Sequence, residues 1–129
     1  MTKASAESFL AKAEEYLASA QDNVDLERFT VAAGDSIHAG ISAKDAIVTM
    51  LTGSTGKSKD HMAAVRELHQ GLGRRDEASS ADRALRELLA AKPDVEYGTT
   101  LTTSVKAISM VRRAQFLVEL AVDIVRLGR

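Results

Sequence analysis

The chain has 129 residues, 45% of them hydrophobic and 27% charged, which suits one globular domain and excludes a disordered chain. Seventeen basic against 18 acidic side chains leave a net charge of −1, which excludes a protein that grips nucleic acid through bulk positive charge. The absence of Cys excludes disulfides, cysteine-zinc sites and thiol nucleophiles, while 4% aromatics and no Trp argue against a base-stacking platform.

Taken in chain order, the pattern is helical throughout. Phe9, Ala13, Tyr16, Leu17 and Ala20 recur at three- and four-residue spacing, which predicts a first helix from about Ala4 to Ala20. Gln21-Asp22-Asn23 then reads as a break, with Asp22 or Asn23 capping a long second helix from about Val24 to Leu51. That helix carries a row of small residues, Ala32, Ala33, Ser36, Ala39, Gly40 and Ala43, suited to close approach of another helix. Gly34 and Gly40 each cost about 1 kcal/mol against Ala in a helix, and tight packing is the expected compensation. The run from Thr52 to Ser58 reads as a loop, followed by a third helix near Lys59 to Gly71. A polar connector leads, with a cap at Ser79 or Ser80, into a fourth helix over about Ala81 to Ala91, stopped by Lys92-Pro93-Asp94. Val95 to Thr100 reads as extended or turn. The fifth helix, from Thr102 or Thr103 to about Leu127, is apolar almost all round in its second half, so it is expected at the bundle centre or against a second subunit. The whole predicts an all-α, up-and-down bundle of about five helices in a single domain, residues 1–129.

The amino-terminal segment is amphipathic, with Glu7, Glu14 and Glu15, rather than an uninterrupted apolar signal. The most apolar stretch, Phe116 to Leu127, is too short to span a bilayer and holds Glu119, Asp123 and Arg126. The expected location is therefore the cytoplasm, with no membrane partner.

Chemical motifs are sparse. Gly53-Ser54-Thr55-Gly56-Lys57-Ser58 suggests a phosphate loop, but position 51, where the first Gly of that motif belongs, is Leu, and the preceding element is a helix. His61 and His69 lie two turns apart, too far for a helical metal pair, so neither a metal nor another cofactor is expected. His38 has Asp35 near it in sequence, and Asp45 lies two turns further on. Asp45 and His61 sit on helices expected to run antiparallel, and they meet only if the short loop folds back or His61 reaches along the groove. The alternative is that Asp60 caps the third helix and His61 is merely a first-turn residue, with Asp45 paired to a neighbour on its own helix. Asp35, His38, Asp45 and His61 form the candidate polar site. Residues 101–129 hold five basic and two acidic side chains against three and six in residues 1–30. Lys106, Arg112 and Arg113 make a candidate basic patch there, with a solvated face as its ordinary explanation.

The long second helix, FTVAAGDSIHAGISAKDAIVTMLTG, followed by a polar loop and KDHMAAVREL, resembles the HEPN domains (higher eukaryotes and prokaryotes nucleotide-binding). The residues that carry the resemblance are Gly40 to Ile47 and the pair Asp60-His61, with the Ala- and Val-rich final helix fitting too; it is most similar to an uncharacterised actinobacterial-type branch. The resemblance implies a helical bundle that pairs through its helices, a nucleotide or nucleic-acid association, and a nucleotidyltransferase-type protein partner. Catalytic HEPN ribonucleases carry Arg five to seven residues before a His. Here those places are Val31 to Ala33 for His38, Ser54 to Gly56 for His61, and Met62 to Ala64 for His69, and none is Arg. No catalytic residue is carried over. The expectation is a non-catalytic, homodimeric binding or accessory module, with a divergent ribonuclease or toxin of a toxin–antitoxin pair, or a purely structural dimer, as alternatives.

Overall fold

The first two helices form a hairpin whose turn falls at Leu26 to Arg28, beyond the polar run that reads as a break. In the computed structural model, which describes residues 2–56 and 60–129, α1 spans Thr2–Asp25 and α2 spans Phe29–Thr52. Asn23 is helical and caps nothing; its amide donates to the Ser19 carbonyl at 2.9 Å and to Asp35 Oδ2 on α2 at 3.2 Å. Ser19 donates to the same carboxylate oxygen at 2.6 Å, so the polar run contributes to a bridge between helices. Arg28 stands at the α2 N-cap without a side-chain hydrogen bond. The turn closes instead through backbone bonds from Arg28 N to Asn23 O and from Glu27 N to Val24 O, with Glu27 at φ +60°.

The helix at the centre is α2. It touches all four other helices of the described residues, whereas α5, over Ser104–Val125, touches α1, α2 and α4, the last over Ala78–Tyr97. Its row of small residues is buried, and a Cβ added at Gly40 would stand 2.6 Å from Leu88 Cδ1 and 3.5 Å from Leu117 Cδ1. Packing therefore offsets the glycine cost at Gly40. At Gly34 the same construction meets only Val95 Cγ1 at an ordinary 3.8 Å, so close approach does not account for that residue. The apolar second half of α5 is absorbed within the chain: Leu117, Ile124 and Val125 are buried, and Phe116 and Val122 pack against the core.

Four long helices run up and down. α4 sets Leu85 and Leu88 near Gly40 and Val95 near Gly34, so it descends as α2 ascends. α5 starts beside the α2 N-terminus, where Thr102 N donates to Thr30 Oγ1 at 2.9 Å, and ends beside α1, where Arg126 pairs with Glu7 and Glu14. The short α3, His61–Leu72, is inserted between α2 and α4 and runs in the same sense as α2, with Glu67 beside Lys44 and Gly71 beside Val48 and Thr52. At about 1.5 Å per residue, its 12 residues reach only half the length of the 24-residue α2, leaving the rest of the α2–α4 seam uncovered.

Both ends of α4 also shift from expectation, while the expected α3 start at Lys59, and Lys57 and Ser58 of the expected loop, lie outside the described residues. Asp60 caps α3 by accepting from Met62 N at 3.0 Å. α4 begins at Ala78, ahead of Ser79 and Ser80, with Glu77 as an N-cap that makes no side-chain bond. Pro93 does not stop α4, which gains another turn because Val95 packs against the core and Glu96 meets His38 at 3.4 Å. The helix ends where Gly98 N donates to Asp94 O, and α5 opens with Thr103 Oγ1 accepting from Lys106 N. Among the described residues no helix is long and apolar enough to cross a membrane.

Candidate functional site between α2, α3 and α4

The site grows from one buried cation. Position 44 falls on the inward stripe of α2 with Gly40, Ile47 and Val48, and Lys44 is only 2% exposed. A buried ammonium requires charge and hydrogen-bond partners. Lys44 Nζ donates to Glu67 Oε1 at 2.8 Å, to Thr55 Oγ1 at 2.9 Å and to Asp45 Oδ1 at 3.2 Å. Thr55 Oγ1 donates in turn to Asp45 Oδ1 at 2.7 Å, and Gly56 N donates to Glu67 Oε2 at 2.8 Å. The hydrogen bond from Lys44 holds the Glu67 carboxyl below its ordinary value of 4.5, aided by Gly56 N and opposed by partial burial. This knot folds the chain after α2 back along the helix, which is why α3 runs parallel to α2 rather than antiparallel.

Below the start of α3 the uncovered seam forms a recess of about 570 Å³. Its lining is mixed: the apolar Ile41, Ala64, Leu85, Leu89 and Pro93 and the ring of Tyr97 stand among the polar Lys44, Asp45, Asp60, His61 and Lys92. Lys44 is spent on its partners, as is Asp45 Oδ1. Among the described residues no hydrogen bond reaches Asp45 Oδ2 or the His61 ring, and no carboxylate pairs with Lys92. Pro93 lacks an amide hydrogen, so the Leu89 carbonyl loses its helical donor at the recess wall.

Of the four candidate polar residues, two line the recess and two are placed apart from it. Asp45 and His61 line the same recess without a hydrogen bond between them, and His61 is the first residue of the Asp60-capped helix. Asp35 is taken up by Ser19 and Asn23 of α1. His38 stacks on Tyr16, ring centroids 5.2 Å apart, and faces Glu96; neither residue lines the recess. No group of three or more His, Asp or Glu side chains converges among the described residues. The basic patch lies elsewhere, along α4 and α5, where Arg113 is held by Glu87 and Ser109 while Lys106 and Arg112 are exposed.

Sequence reasoning missed Lys44, Thr55, Glu67, Lys92 and Tyr97. A signal existed for Lys44 alone, a cation on a stripe of buried small and apolar residues that demands an acidic partner. The partner's identity depended on the fold-back of the chain after α2. No family model matches the chain, and no curated protein matches it either.

Proposed function

We propose that the chain is a non-catalytic, HEPN-like binding module that takes a small nucleotide-type ligand in the recess between α2, α3 and α4. The observation that carries this reading is the mixed lining of the recess, apolar side chains beside Asp45 Oδ2, the His61 ring and the Lys92 ammonium, none of which is taken up by a hydrogen bond among the described residues. A planar base suits Leu85, Leu89 and Tyr97; Lys92 and His61 suit phosphate oxygens; Asp45 Oδ2 and the Leu89 carbonyl suit amine or hydroxyl donors. The reading is non-catalytic because no Arg stands at the required spacing before any His, and His38 and Asp35 are occupied outside the recess. Titration calorimetry with AMP and ATP tests it. Saturable binding is expected, weakened about tenfold by Lys92→Ala and by Asp45→Asn, since one charged hydrogen bond contributes about 1.5–3 kcal/mol. Absence of heat, or equal affinity in both variants, overturns it.

The proposal includes a two-fold homodimer. It is supported by the apolar side chains Leu26, Val31 and Leu101, exposed by 59%, 51% and 79% at the end of the bundle that the Thr102–Thr30 hydrogen bond ties together. Light scattering is expected to give twice the chain mass, and Val31→Glu with Leu101→Glu to halve it. The resemblance adds a nucleotidyltransferase-type protein as a partner, testable by co-purification.

A further inference from the structure

A second surface, remote from the recess, runs along α4 and α5. Two adjoining hollows of about 500 Å³ each lie along the α4–α5 seam and share Glu87, Ser109 and Arg113; together they make a shallow trough crossed at its middle by the Arg113–Glu87 ion pair. Its apolar lining comes from Ala84 and Phe116 on one side of that ion pair and Ala90 and Met110 on the other. Its rims carry Arg83, Lys106 and Arg112, and among the described residues no carboxylate lies within ion-pair distance of any of the three. Arg113, already held by Glu87, adds a fourth cation against that single acid. The cluster stands on a chain whose net charge is −1, so it is a local concentration of positive charge and not a sample of the whole surface. Between Thr103 and Phe116 the trough follows α5 for about 20 Å, the length of a helix of about 13 residues.

An apolar lining between cationic rims selects its occupant by chemistry. A nucleic acid would find phosphate contacts but only one aromatic, the half-buried Phe116, for its bases, on a molecule otherwise negative. An amphipathic helix places apolar residues on that lining and acidic residues against both rims at once. We infer that the α4–α5 trough docks an acidic amphipathic helix of a partner protein, its apolar face on Ala84, Ala90 and Phe116 and its carboxylates on Arg83, Lys106 and Arg112.

The test uses fluorescence anisotropy with a synthetic helix of about 14 residues, Leu on one face and Glu on the other, alongside a scrambled peptide of equal charge and a uridine oligonucleotide. The full chain is expected to bind the amphipathic peptide saturably. Arg83→Glu with Arg112→Glu weakens binding at least about tenfold, and so does Ala90→Glu, which obstructs the exposed part of the apolar lining. Lys12→Glu, a cation-to-acid change at one exposed position of α1, alters it less than about twofold. A Lys-for-Glu peptide prefers the double variant to the parent. The inference is overturned by no saturation below about 1 mM, by equal binding of the scrambled peptide, by tighter binding of the oligonucleotide, or by an equal loss in Lys12→Glu.

Discussion

The two sides of α2 solve the same packing problem differently. Towards α5 and the middle of α4, the neighbours are long helices, and small residues let them close on Gly40 until a single added carbon would collide with Leu88. Towards α3 the neighbour is half as long, so the seam closes only over part of its length, held there by the Lys44–Glu67 pair and open below as the recess. Apolar closure leaves no room for chemistry. A short helix anchored by a polar knot leaves both a space and unspent polar groups to line it.

The largest expected effect breaks the closed side. Gly40→Leu forces a branched side chain against fully buried Leu88 and Leu117, and overpacking of this kind costs about 3 kcal/mol. The propensity gain of under about 1 kcal/mol does not offset it. Thermal unfolding followed by circular dichroism should fall by about 10 °C; an unchanged midpoint removes the close-packing account.

A smaller effect, specific to the open side, appears with pH. Glu67 has its folded pKa below the ordinary 4.5, so its contribution is fully present above about pH 4.5 and is lost as pH falls through the folded value. Urea unfolding between pH 7 and pH 3 should show an acid decline that Glu67→Gln flattens while lowering stability at pH 7. An identical decline in the variant assigns it to other carboxylates.

Helix existence was legible because each of the five segments carries a 3.6-residue apolar stripe, and Gly40 was legible because it stands in a row of small residues. The boundaries that moved are those where a tertiary contact outweighed a local rule. Asn23 found Asp35 rather than a free helix end, and the turn containing Val95 and Glu96 held α4 together past Pro93. Of the candidate site, Asp45 and His61 share the recess, but much of its lining arrives from elements distant in sequence, with Leu85, Leu89 and Lys92 of α4 and with Lys44 bound by Thr55 and by Glu67 of α3. The placement of α3 goes with the fold-back pinned by Thr55 and Glu67, which no local pattern encodes.

The hairpin turn offers a gain. Glu27 holds φ +60° without a glycine's freedom, and it is exposed. Glu27→Gly should raise stability by about 1 kcal/mol, read by urea titration, because the left-handed conformation penalises a Cβ. A loss would mean that the Glu27 side chain stabilises the turn.

The finest test compares two glycines six positions apart on α2. Gly34 and Gly40 carry the same helix-propensity cost, so any difference between their alanine variants reports space alone. At Gly34 the new methyl meets Val95 at 3.8 Å, an ordinary contact, and should fill the gap between α2 and the last turn of α4. Gly34→Ala is therefore expected to stabilise by about 0.5–1 kcal/mol. At Gly40 the same methyl stands 2.6 Å from Leu88 Cδ1, and fully buried Leu88 has to shift before the fold accepts it. Gly40→Ala should destabilise, so the two variants move in opposite directions from the parent. Paired urea midpoints decide the matter: if both rise, Leu88 yields at little cost and the closed side of α2 is less tightly determined than its geometry implies; if both fall, Gly34 is kept for a reason other than packing.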